Sequence, residues 1–148
     1  MRKVMTLSHV DAMKMIEAVR AELEQNSQGA AVAVVDTHGE LLAMLRTDGC
    51  RLSCVPVAIN KAYTAAREQG ESKALGEAAR KEGFSLTNFG DLRYVSWGGG
   101  VPVVVDGQVA GAVGVSGLSE AEDTLLARMA VEMVAPRARK AGTDSVSR

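Results

Sequence analysis

The chain has 148 residues, with 17 basic and 18 acidic side chains, a net charge of −1 and an apolar share of 47%. That length is one domain's worth, and the composition excludes a disordered, collagen-like or low-complexity chain. The balanced charge offers no broad field for nucleic acid or an anionic membrane, and aromatic residues, 3% of the chain, are too few for a base-stacking platform.

From the N-terminus, Val10, Met13, Ile16, Val19 and Leu23 recur at intervals of three or four, which predicts an amphipathic helix over 6–26. Thr6 or Ser8 caps it, Ser8 with Asp11 forming a capping box, and Gly29 follows its end. Ala30–Val35 and Glu40–Arg46 are strand-length runs joined by Asp36-Thr37-His38-Gly39, which reads as a hairpin. Ser53 is placed to cap a second, alanine-rich helix that accepts Pro56 in its first turn and stops at Gly70; a third helix runs from Lys73 to Glu82. Residues 84–97 show no period and hold four of the five aromatic residues. Asp106-Gly107 joins the strands Val101–Val105 and Gln108–Val115 as a second hairpin. Ser119 with Glu122 boxes a last helix that ends near Pro136.

Two hairpins among helices imply an α+β domain with an antiparallel sheet rather than a doubly wound parallel one. Residues 1–136 form a single domain, and 137–148 a polar, flexible tail. No apolar run reaches the roughly 20 residues that cross a bilayer, and the start leads into a polar helix rather than a signal core. The expected location is cytoplasmic.

Gly98-Gly99-Gly100 beside Trp97 costs conformational entropy that a plain connection does not need. Peptide N–H groups in such a loop can hold a carboxylate, and Trp97 offers one apolar wall; a glycine-bulged strand entry is the structural alternative. Lys61, on an alanine-rich helix face, either is a solvated lysine or reaches into a cleft to bind an anion or move a proton. Arg46, at a strand end before Asp48, is a second cation for a carboxylate. These residues, Arg46, Asp48, Lys61, Trp97, Gly98, Gly99 and Gly100, make the expected ligand-binding set, with Lys61 the catalytic residue of an enzyme reading. Asp48, Tyr63 and Tyr94 are the candidates for a second acid or base. Cys50 and Cys54 are too few for a disulfide framework or a zinc site and read as reduced, packed thiols; no metal site is expected.

The segments Ala31–Leu41, Asp48-Gly49, Lys61–Ala66, Gly98–Pro102 and Asp106–Gly117 together resemble the GlcG/HbpS family, which also supplies the C-terminal domain of PduO proteins. The likeness covers residues 6–135. It implies a profilin-like α/β/α layering about a five-stranded antiparallel sheet, assembly into homo-oligomers, and a role accessory to a catabolic pathway. Some members bind or degrade haem, so the resemblance implies haem or a small organic anion as ligand. His9, His38, Cys54 and Met44 are the available axial donors. Cys50 and Cys54 depart from the family pattern, in which small residues stand at those positions. The alternative to a binding module is a metal-independent tautomerase, isomerase or imine hydrolase acting on an unsaturated carboxylic acid through Lys61.

Overall fold

The computed structural model describes residues 1–136, so the tail expected at 137–148 lies outside the described residues. The elements follow as α1 (His9–Gln25), β1 (Ala31–Asp36), β2 (Leu41–Arg46), α2 (Cys54–Glu68), α3 (Ser72–Glu82), a 3-10 turn (Leu86–Phe89), β3 (Gly100–Val105), β4 (Gln108–Ser116) and α4 (Glu120–Glu132). Both capping boxes form. Ser8 Oγ accepts the Asp11 N–H at 3.2 Å while the Asp11 carboxylate takes the Ser8 N–H at 2.9 Å, and Ser119 and Glu122 repeat the exchange. Ser53 does not cap α2 with its side chain, because it is itself in helical conformation, and α2 ends at Gln69 in left-handed geometry rather than at Gly70.

The strands form one antiparallel sheet in the order β2-β1-β4-β3. The sheet has four strands, not five: each hairpin contributes two, and no other segment among the described residues pairs with either edge. Asp106 and Gly107 both have positive φ, 49° and 73°, the primed turn whose twist matches its flanking strands.

The two faces of the sheet differ in side-chain size. Val32, Val34, Val113, Val115, Val101 and Val103 meet Met15, Val19 and Leu23 of α1 and Leu126, Ala127 and Ala130 of α4 in the main core. The opposite face presents Ala31, Ala33 and Ala112, with Val35 the one larger side chain of these clusters' buried strand residues, to Ala58, Ala62, Ala65 and Ala66 of α2. Register aligns Ala33 with Gly114 and Gly114 with Gly100 across β1, β4 and β3. A Cβ on Gly114 would overlap the Ala58 carbonyl oxygen, and one on Gly100 the Lys61 carbonyl oxygen. The helix backbone therefore lies directly on the sheet, and any side chain at either position would push it off.

Beyond its single 3-10 turn, the aperiodic stretch is held in place by side chains of α2. Thr64 Oγ1 accepts the Val95 N–H at 3.1 Å and donates to the Arg93 carbonyl at 3.3 Å. The Tyr63 hydroxyl donates to Asp91 at 2.7 Å, Arg93 pairs with the same carboxylate at 2.9 Å, and the guanidinium lies 3.9 Å from the Tyr63 ring centroid. Tyr94 meets Tyr63 edge to face at 5.6 Å and stacks on Phe89 at 4.3 Å.

Two outcomes follow for stability. Gly114→Val is expected to cost about 3 kcal/mol or more, because the added atoms meet helix backbone that has no side chain to move aside, and urea unfolding reads it directly. The Arg93 guanidinium and N–H, with Tyr63, hold the Asp91 carboxyl well below the usual carboxylate range. The folded state thus keeps Asp91 ionised where the unfolded chain protonates it, so its contribution is complete above about pH 4 and is lost as pH falls. Acid unfolding of Asp91→Asn should show a shallower loss of stability below that pH than the parent chain.

Candidate functional site

Lys61 shares a helical face with Ala58, Ala62 and Ala65, and because α2 rests on the sheet, that face is buried. The Lys61 side chain is 3% exposed. An ammonium taken out of water needs hydrogen-bond acceptors and a counter-charge, since leaving it unpaired costs several kcal/mol. It has two: Nζ donates to the Val115 carbonyl at 2.9 Å and to Asp123 Oδ2 at 3.0 Å. Asp123 lies in the first turn of α4 and is equally buried; its other oxygen accepts the Leu118 N–H at 3.0 Å. Gly99, at φ 122°, leaves the space for this pair, for a Cβ there would stand 2.9 Å from Nζ and 3.1 Å from the Asp123 Cβ.

The neighbouring glycine amides are already engaged. The Gly98 N–H donates to Glu120 Oε1 at 3.0 Å, and the Gly100 N–H donates to Ser72 Oγ at 2.9 Å. Ser72 Oγ in turn donates to the Trp97 carbonyl at 2.8 Å, so one fully buried hydroxyl staples both ends of the loop. The loop does hold a carboxylate, and it is the chain's own Glu120.

Above the Lys61–Asp123 pair opens a cleft of about 330 Å³. Ser116, Cys54, Gly98 and Trp97 line it, and the exposed Arg51 and Glu120 stand at its rim. The Arg51 guanidinium makes no ion pair among the described residues.

Lys61, Trp97 and Gly98 are thus gathered in one place, with Gly99 and Gly100 framing it from behind. Arg46 and Asp48 are not: they line a second cleft of about 460 Å³ with Arg20 and Glu24, where Arg20 is paired with Glu17 and Glu24. Tyr63 and Tyr94 belong to the Asp91 cluster, and burial pushes both phenols up. Neither lines the cleft of Lys61. Sequence reasoning missed Asp123, Arg51, Ser72, Ser116 and Glu120. For Asp123 a signal existed: it shares the i, i+3, i+4, i+7 face with Leu126, Ala127 and Ala130, so a carboxylate stood on the buried face of the last helix.

His9 and His38 are both exposed, and neither lines this cleft. Among the described residues no three His, Cys, Asp or Glu side chains converge on a metal position, and no helix is long and apolar enough to cross a membrane.

A family model described as haem degrading protein HbpS-like matches residues 7–132. Protein GlcG of Escherichia coli (strain K12) is 38% identical over 122 residues, covering 78% of this chain and 85% of that protein. The crystal structure of Klebsiella pneumoniae protein ORFY superposes with a TM-score of 0.83 at 31% identity, covering 90% of this chain and 93% of the other. A PduOC:heme complex superposes with a TM-score of 0.80 at 25% identity, covering 87% of this chain and 95% of the other. With one family model spanning nearly all of the described residues and a relative this similar over most of its length, the chain belongs to the HbpS-like family.

Proposed function

We propose that this protein is a binding module that takes a carboxylate-bearing ligand into the cleft above the Lys61–Asp123 pair. The observation that carries the reading is the Glu120 carboxylate on the Gly98 N–H at 3.0 Å: the loop's chemistry toward carboxylates is exercised by an exposed side chain that a ligand can displace. Arg51, unpaired at the rim, supplies the cation for a charge-assisted bond, and Trp97, 59% exposed, supplies an apolar wall.

Two sources offer that carboxylate, a small organic acid and the propionates of haem. Haem is supported by the HbpS-like family and by the PduOC:heme relative. The residues here fit propionates. Of the axial donors the sequence offers, only the Cys54 thiol lines the cleft: His9 and His38 lie elsewhere, and Met44 packs against Ala31, Ala33 and Ala58. Catalysis through Lys61, the second reading, requires an ammonium released from both the Asp123 and the Val115 acceptors that now hold it. Exposed Val10 and Met13 on α1 support assembly into a homo-oligomer, which sedimentation tests.

Calorimetric titration with maleate, fumarate and succinate, and visible-spectrum titration with haemin, separate the two sources. Arg51→Ala is expected to weaken carboxylate binding by about tenfold to a hundredfold, the worth of one charge-assisted hydrogen bond. Glu120→Ala, which frees the Gly98 amide, is expected to strengthen it, and Arg46→Ala in the other cleft to leave it unchanged. Equal losses for Arg46→Ala and Arg51→Ala would refute this placement.

The buried pair makes a separate prediction. Lys61→Met strands the Asp123 carboxylate and should cost about 3–5 kcal/mol in urea unfolding. Adding Asp123→Leu should recover much of that loss, though not all, because the Val115 carbonyl and the Leu118 N–H lose their partners.

A further inference from the structure

Cys50 and Cys54 stand on either side of Arg51 and converge on its carbonyl oxygen. Cys50 Sγ donates to that oxygen at 3.3 Å, and the Cys54 N–H donates to it at 3.0 Å, closing a tight turn at the entry to α2. The shared carbonyl brings the two residues together in one turn, and burial, followed by the proximity of Cys54, pushes the Cys50 thiol up. Both cysteines are free and partly buried, yet their surroundings differ. Cys54 lines the cleft together with Arg51, whereas Cys50 packs against the cluster of Ala31, Ala33 and Ala58.

We propose that Cys50 and Cys54 are a redox-active dithiol that closes to an intramolecular disulfide by exchange with a small anionic disulfide drawn to the cleft by Arg51. The Cys54 thiolate attacks one sulfur of the incoming disulfide, forming a mixed disulfide and expelling one thiolate. Cys50 then loses its proton to solvent and attacks Cys54 Sγ, forming the internal S–S bond and expelling the second thiolate. The protein dithiol gives up two electrons and two protons, and the small disulfide is reduced to two thiols. Its place in the cleft lining makes Cys54 the attacking sulfur, while Cys50, packed on the alanine cluster, resolves the mixed disulfide. This chemistry goes beyond the carboxylate reading and does not depend on it: the readout is thiol modification, which survives a failure of every carboxylate titration.

The test is incubation of the folded chain with glutathione disulfide, acid quenching, alkylation and peptide mapping. The expected product links Cys50 to Cys54, with both thiols lost together and both restored by dithiothreitol. Cys50→Ser should accumulate one glutathione on Cys54, and Cys54→Ser should react roughly tenfold more slowly or less. Arg51→Ala should slow glutathione disulfide but not the uncharged hydroxyethyl disulfide. Thiols that stay reduced at the oxidising limit, two separate glutathione adducts, or a bond between two chains would each overturn the proposal, and mapping of the unmutated chain decides among these even where a variant fails to fold.

Discussion

The contact on which the rest of the structure depends is that between the α2 backbone and a row of residues with little or no side chain. Ala33, Gly114 and Gly100 lie side by side across three strands, and the carbonyls of Ala58 and Lys61 occupy the volume where larger side chains would be. Once α2 is that close, Lys61 is held almost wholly out of water and its ammonium must be neutralised within the protein. Asp123 meets that need only if α4 begins at the right place, which the Ser119–Glu122 capping box fixes. Gly99 completes the arrangement by leaving the pair its space. A packing constraint in the sheet is thereby transmitted to a charge requirement two elements away.

That chain of requirements also separates the two cations of the cleft by role. Lys61 is neutralised by Asp123 and held by the Val115 carbonyl, so its charge serves to fix the floor. Arg51 belongs to the turn before α2, has no carboxylate partner among the described residues, and keeps its five donors for whatever enters. In the binding reading proposed above, a free cation at the rim over a rigid floor is the division expected of a preformed site, in which the ordering cost is met on folding rather than on association.

Local signals made the fold legible where the physics is local. Both capping boxes and the Asp106-Gly107 turn act over four residues or fewer, and each formed as read. The four strands are likewise those of the two hairpins; the fifth came from the family resemblance and has no counterpart in the sheet. The aperiodic stretch was illegible because its order comes from Tyr63, Thr64 and Ser72, whose partners lie 25 to 31 residues away in sequence. The site was legible in part for the same reason. The glycine triplet and Lys61 stood out as local anomalies, but joining Lys61 to Asp123 requires knowing that α2 and α4 meet across β4, 62 residues apart. Charge and a place at a strand end group Arg46 with Lys61 in the sequence, whereas the structure puts it in the second cleft, at the other end of the connection from β2 to α2.

The thiol and the unpaired guanidinium of the cleft come from one short segment, residues 51–54. The sheet, the glycine loop and the Lys61–Asp123 floor form a frame that packing dictates, whereas the turn at residues 50–54 carries little packing duty beyond the contact of Cys50 with the alanine cluster. The Arg51 side chain, and that of Cys54 at the first position of α2, reach the cleft from that turn. A frame fixed by buried charge and backbone contact does not depend on the side chains at the rim of the cleft, because the costly elements lie beneath it. The Cys54 thiol and the Arg51 guanidinium place a sulfur and an unpaired cation side by side at the cleft, a combination that the packing does not require.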